Sequence, residues 1–391
     1  MHASSARGSH AGARLARRQI RGILAFALIA GAWSRAATGA VPSAADVTRA
    51  ISMVFAGGPG AAGGDVNADG RADAADVCGV LLGMRSPTQP GPYGIGVQQI
   101  TFVKDSVANP GTPRSLRTDI WYPAAPDAAP ITSSLGGVLS APLADGAANL
   151  PLLLFSHGSC GYPEQSLFLT PLLASYGFVV AAPPHPGNTL SDFPRCGTDA
   201  AQTASFFERE ADIEFVTTQL LALNDDPTSF FYHAIDPARI GMSGHSFGGQ
   251  TTLRVCAGDP RVRAGLALAP ALTPVQSQVA LIDVPMMVQD GTLDSVVPFA
   301  ENAQATYDLL KPPRYLVAIA DTGHYAFSDQ CFPSPDCGPD TLTQAQAHLY
   351  VLRYAVPFLL HWVANDPRFD SFLVPGSAPP GATLTADLGN G

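Results

Sequence analysis

Charge is scarce in this chain. Asp, Glu, Lys and Arg make up 14% of its 391 residues, and no basic cluster occurs beyond the N-terminal segment. A nucleic-acid-binding protein needs a dense cationic face, so that class is excluded. Long apolar runs are missing too. The N-terminal run from Ile23 to Trp33 is well short of the ~20 residues that span a bilayer. The six cysteines show no paired C-x2-C spacing, which argues against a structural zinc site. What is plentiful is apolar surface. At 46% it is ample for a core, and the length suits one large α/β domain with a small addition.

The N-terminus reads as an export signal over residues 1–40. Arg14, Arg17, Arg18 and Arg21 precede the short apolar run, and Thr38-Gly39-Ala40 offers small residues for cleavage, with Ala36 or Gly39 as alternative ends. The ordinary secretory route is expected, although Arg17-Arg18 also fits a twin-arginine signal. The expected location is secreted or periplasmic. The whole chain carries −10; without the six arginines of residues 1–40 it carries −16 and is not drawn to anionic membranes. Export permits disulfides. Cys331–Cys337 and Cys160–Cys196 are the expected pairs, Cys256 is expected as a small buried residue, and Cys78 belongs to a different module.

Gly244-His245-Ser246-Phe247-Gly248 carries the most chemistry. A buried strand, 238–243, precedes it and a helix from Phe247 follows. This strand-turn-helix arrangement exposes a serine in a strained position at a helix N-terminus, where developing negative charge is favoured. Partners follow in the order that such a serine requires. Strand 284–289 ends near Asp294, and strand 314–320 ends before His324. A serine hydroxyl needs a neutral imidazole to take its proton and a carboxylate to fix the tautomer. Ser246 is therefore the candidate nucleophile, His324 the base and Asp294 the acid. Asp290 is the rival acid, nearer the strand end, where a structural turn role is expected. Strand 151–155 runs into Ser156-His157-Gly158-Ser159. The backbone N–H groups of Ser159 and Phe247 are the candidate oxyanion donors.

The remaining pattern alternates strands and helices and predicts a mostly parallel sheet with helices on both faces. Strands are expected at 98–104, 117–122, 178–182 and 262–268, and helices at 165–176, 205–223, 300–310 and 343–363. A linker spans 87–96, the catalytic domain 97–375 and a loose tail 376–391. His157, His185 and His245 are read as packing residues, His185 equally as a pocket border. Glu208, Glu210, Asp212 and Glu214 are read as a solvated helix face. Tyr162, Phe247, Tyr325 and Phe327 either line an acyl pocket or seal the core edge.

Residues 41–86 form a separate module. From Asp65 to Asp76, oxygen-bearing residues fall at loop positions 1, 3, 5, 9 and 12, with Gly70 at position 6. The candidate Ca²⁺ ligands are Asp65, Asn67, Asp69, Arg71, Asp73 and Asp76. The loop resembles those of dockerins, which implies a structural calcium ion and an attachment partner. Ser43 to Val47 weakly repeats Asp73 to Val77.

Phe155-Ser156-His157-Gly158, Gly177 to Pro183, His185 to Thr189 and Gly244 to Gly249 together resemble platelet-activating-factor acetylhydrolase-like and dienelactone-hydrolase-like enzymes. Bacterial polyester hydrolases and cutinase-like enzymes are similar but more distant. The resemblance covers about residues 97–375 and implies an α/β-hydrolase fold and ester hydrolysis without a catalytic cofactor. It implies a serine esterase for short-chain or lipid-like esters, with a polyester or lipid hydrolase as the alternative. A peptidase would need an extended groove that no feature announces. A calcium-dependent scaffold on a dead hydrolase fold would show a damaged triad, whereas all three members are present.

Overall fold

The computed structural model describes residues 86–125, 133–331 and 335–389, together with Val47, Thr48, Ile51 and Asp76. The chain divides into two compact units. One comprises 1–67 and 71–85, and the other comprises 68–70 and 86–391. In the first unit, Asp76 is a buried helical residue. The export segment, Cys78 and the other expected calcium ligands, Asp65, Asn67, Asp69, Arg71 and Asp73, lie outside the described residues.

The second unit is built on one sheet. Its strands are β1 (Gly94–Asp105), β2 (Pro113–Ala124), β3 (Val138–Leu139), β4 (Leu150–Ser156), β5 (Val179–Ala182), β6 (Ile235–His245), β7 (Val262–Leu268), β8 (Met286–Gly291), β9 (Arg314–Ile319) and β10 (Ala382–Asp387). The order across the sheet is β10-β9-β8-β7-β6-β4-β5-β2-β1-β3. The centre, β9 to β5, is parallel; β2 and β10 join it antiparallel. The six main helices are α1 (Thr170–Ser175), α2 (Asp199–Asp225), α3 (Phe247–Gly258), α4 (Gln276–Val279), α5 (Ala305–Leu309) and α6 (Gln344–Trp362). This is the α/β-hydrolase fold. Parallel strands buried on both faces read as continuous apolar runs, as Leu150 to Phe155 and Met286 to Val288 do here. Two apolar cores result. One packs α6 and α1 on one face, and the other packs α2 and α3 on the opposite face.

Three expectations are corrected. The tail is not loose: Ala382 to Asp387 pairs along all of β9 and buries Leu384. Its Ala/Gly/Pro-rich flanks hide a short period-2 pattern, and Arg314 clamps it from β9 through Asp387. The expected linker is also held. The Tyr176 hydroxyl donates to the Gln89 carbonyl at 2.7 Å, the Gly91 amide donates to Ser175 Oγ at 2.8 Å, and β1 begins at Gly94. Finally, the helix expected from 165 starts only at Thr170, with Pro171 in its first turn, because Gln165 and Ser166 are engaged elsewhere.

Leu384→Ala is expected to cost about 2–4 kcal/mol. A urea titration checks this, and an unchanged midpoint would mean that β10 contributes nothing to the fold.

Candidate active site

Ser246 closes β6 and opens α3 with φ 59° and ψ −117°. A non-glycine residue in such a conformation stores on the order of 1–3 kcal/mol. The surroundings hold it there. The Ser246 amide donates to the Leu268 carbonyl on β7 at 2.9 Å, and its own carbonyl accepts the Gln250 amide at 2.9 Å. Close packing explains the flanking glycines. A Cβ on Gly248 would run into the Ser156 carbonyl, and one on Gly244 would run into the Gly248 and Ser156 carbonyls. The elbow is thus pressed onto the end of β4.

The His324 and Asp294 side chains meet. His324 Nδ1 lies 2.7 Å from Asp294 Oδ2, and both residues are buried. Asp294 Oδ1 accepts the Val296 and Val297 amides at 2.9 and 2.7 Å, which fixes the carboxylate plane. With Nδ1 donating to Asp294, the imidazole keeps Nε2 as its free acceptor. Asp290 lies deeper. Its Oδ1 accepts the Gly291 amide at 2.7 Å, while Oδ2 is buried without a hydrogen-bond partner. Burial and the neighbouring Asp294 charge push its carboxyl well above the usual range. Burial and a close carboxylate both disfavour the ionised form of Asp290.

The loop after β4 is held from behind. The buried Arg209 of α2 donates to the His157 carbonyl at 2.6 Å, to the Gly158 carbonyl at 3.0 Å and to Asn188 Oδ1 at 2.7 Å. The Gly158 carbonyl points at Arg209. Across a trans peptide the next N–H points the opposite way, so the Ser159 amide is turned from Arg209. Phe247 is the first residue of α3, and the amides of a helix's first turn have no intrahelical acceptor. The two loops touch: a Cβ on Gly158 would sit 3.5 Å from Ser246 Cβ. The Arg209 guanidinium also covers the Phe247 ring at 4.4 Å. Burial brings its pKa down to about 9.

Three histidines surround this core, all buried, and burial holds each of their pKa values well below normal. His245 Nε2 donates to the His324 carbonyl at 3.0 Å, and Nδ1 accepts from Gln165 at 2.9 Å. The Gln165 carbonyl oxygen accepts the Gly158 amide at 2.8 Å. One glutamine therefore ties the β4 loop to the elbow, a role with no sequence signal. His157 Nδ1 bonds the Gly158 carbonyl, and Nε2 accepts the His185 amide. His185 packs rather than bordering a pocket: Nε2 accepts from Ser156 Oγ at 2.9 Å and Nδ1 donates to Asp212 at 3.0 Å.

Asp212 and Glu208 correct the expected solvated face. Both are buried and paired with Lys104 and Arg114 from β1 and β2. These cations lie about 100 residues away in sequence, so local pattern could not find them. Both expected disulfides form, Cys160–Cys196 and Cys331–Cys337, and Cys256 is buried and free. Phe327 is buried in the core, whereas Tyr162, Phe247 and Tyr325 are half-buried near the site. No group of side chains suited to a metal ion occurs among the described residues.

A strained serine after a central parallel strand, with a histidine–carboxylate pair beyond later strands, defines an α/β hydrolase of the serine type. The PET hydrolase-like family matches residues 158–387, and the chain belongs to that family. It is an enzyme, a carboxylic ester hydrolase. Bis(hydroxyethyl) terephthalate hydrolase of Streptomyces coelicolor is 24% identical over 251 residues, 64% of this chain and 69% of that protein. Cutinase est1 of Thermobifida alba is 25% identical over 224 residues, covering 57% of this chain and 64% of its own. Cutinase cut1 of Thermobifida fusca is 25% identical over 221 residues, 56% and 59% respectively. The chain thus spans roughly two thirds of these relatives. The family match moves the polyester-hydrolase resemblance ahead of the platelet-activating-factor acetylhydrolase-like and dienelactone-hydrolase-like ones. Two of the segments behind those resemblances, Phe155 to Gly158 and Gly244 to Gly249, build the elbow and the loop packed against it and carry no substrate information.

Asp290 gives a pH prediction. Its folded-state pKa lies above its unfolded value, so the folded state binds the extra proton, and stability falls as pH rises above the unfolded pKa of about 4. Asp290→Asn is expected to remove up to about 1.4 kcal/mol per pH unit of that decline. Denaturant titrations from pH 4 to 8 check it; parallel curves for the two proteins would contradict it.

Proposed function

We propose that Ser246, His324 and Asp294 form the catalytic triad of an exported hydrolase acting on polymeric or other apolar esters. The strained Ser246 elbow together with the 2.7 Å His324–Asp294 contact carries the proposal. Ser246 Oγ attacks the ester carbonyl carbon while His324 Nε2 takes its proton. Asp294 holds Nδ1–H and stabilises the imidazolium that forms. The Ser159 and Phe247 amides receive the oxyanion, each contributing on the order of 10²–10³ in rate. His324 returns the proton to the departing alcohol, and water, activated in the same way, releases the acid.

The polymer preference rests on the family match and on the surface. The segment after β5 is tied to the β4 loop by Cys160–Cys196 and by a Gly161–Thr189 bridge. It carries Leu190 and Phe193 into solvent, Phe193 with 71% exposure. Leu293 and Val296, either side of Asp294, are exposed as well. Exposed apolar side chains on the segment tied to the β4 loop and on the loop of Asp294 suit a flat, water-poor substrate. The two disulfides support an exported location, and no helix among the described residues is long and apolar enough to cross a membrane.

Hydrolysis of p-nitrophenyl esters and of polyester film is the test. Ser246→Ala is expected to lose activity on both by roughly 10⁴-fold or more, and wild-type-like rates would remove Ser246 from the mechanism. Phe193→Ala is expected to slow film hydrolysis on the order of tenfold while sparing p-nitrophenyl acetate. Equal losses on film and soluble ester would sink the polymer preference.

A further inference from the structure

The loop after β9 contains a carboxylate that the mechanism does not use. Asp336 is buried in a short turn, Pro335–Cys337, closed by the Cys331–Cys337 disulfide. Its Oδ1 accepts the Ser295 amide at 2.7 Å and the His324 amide at 3.2 Å. Its Oδ2 accepts the Ser295 hydroxyl at 2.8 Å. One side chain thus grips the residue after Asp294 and the backbone of His324 itself.

The approach is close on purpose-built backbone. A Cβ on Gly323 would lie 2.5 Å from the Asp336 Cα and carbonyl oxygen, so only glycine fits before His324. The two loops also meet directly, through the Leu293 amide on the Thr322 carbonyl at 2.9 Å and the Asp321 amide on Thr292 Oγ1 at 3.2 Å. His324 itself begins only a single 3₁₀ turn, so regular structure does not fix it. Side chains do so instead. Asp336 takes its N–H, His245 donates to its carbonyl, and Asp294 takes its Nδ1–H.

Resting on the catalytic reading above, we propose that Asp336 is a positioning residue that sets the Asp294 loop against the His324 loop and so aims the imidazole at Ser246. Its action is that of a hydrogen-bond acceptor on two backbone amides. A neutral acceptor of the same shape therefore suffices, and the Cys331–Cys337 bridge acts by keeping the acceptor in place.

The test uses the full chain with Asp336→Ala, Asp336→Asn and the double variant Cys331→Ser/Cys337→Ser. Steady-state hydrolysis of a p-nitrophenyl ester is measured beside the downfield proton resonance of the His324 Nδ1–H. Asp336→Ala is expected to lose kcat on the order of 10–10²-fold, as misplacement of a catalytic group does, with KM little changed and the resonance broadened. Asp336→Asn is expected to keep kcat within about threefold, the acceptor geometry being retained, and to keep the resonance. The double cysteine variant is expected to shift kcat and the resonance in the Asp336→Ala direction. If Asp336→Ala does not fold, the other two variants decide. An Asp336→Asn protein as impaired as the alanine variant, or a loss carried by KM alone, overturns the proposal. An unchanged resonance in both Asp336→Ala and the cysteine variant overturns it as well. Failure of the wild type to hydrolyse any ester would count against the catalytic reading, and the resonance would still decide the positioning role.

Discussion

The contact between Gly248 and the Ser156 carbonyl is the constraint on which the rest depends. It brings the first turn of α3 against the end of β4 with no side chain between them. The chain can then turn so sharply at residue 246 that a non-glycine residue is held at positive φ. Because β4 continues directly into the loop of Gly158 and Ser159, the same contact sets that loop and the Phe247 end of α3 side by side. Moving either backbone by the width of a methyl group would separate them. Packing at this density transmits such shifts rather than absorbing them.

Behind that contact lies a buried polar layer that an apolar core would not need. Arg209, His185, Asp212, Glu208, Lys104 and Arg114 are joined by hydrogen bonds and ion pairs reaching Ser156 and the carbonyls of His157 and Gly158. Buried ions seldom add net stability over a well-packed apolar set. What they supply is direction. A guanidinium accepts only certain carbonyl orientations, so two peptide planes of the loop are fixed without regular secondary structure. The constellation Ser156–His185–Asp212 copies the pairing of a nucleophile, base and acid, yet all three are fully buried, so no substrate reaches it.

The sequence made some of this legible and hid the rest for identifiable reasons. The alternation of β4 through β9 with their helices was readable because the buried parallel strands are rich in apolar residues and are separated by helical segments. The sharp turn at Ser246 and the meeting of Asp294 with His324 were readable because each residue follows a strand end in chain order, Cys331–Cys337 because both lie in one loop, and Cys160–Cys196 because both follow strands that end on the same face. Glu208 and Asp212 were misread because their cations come from β1 and β2, far along the chain. Arg209, Gln165 and Asp336 carried no signal at all, since their roles are bonds to backbone groups, which any sequence offers everywhere. β10 was hidden because six alternating residues inside a Gly- and Pro-rich stretch look like tail.

One disulfide ties the loop after β4 to the segment after β5, 36 residues on, the other closes a loop of 6 residues after β9, and both sit on the face that carries the site. Neither joins the two edges of the sheet or the two apolar cores. The molecule therefore has two kinds of integrity: a framework held by packing, and a working face whose loops are held by hydrogen bonds and two covalent ties. A reductant would remove ties from that face and none from the two apolar cores. The framework and the face that carries the site are, in this architecture, secured by different kinds of bond.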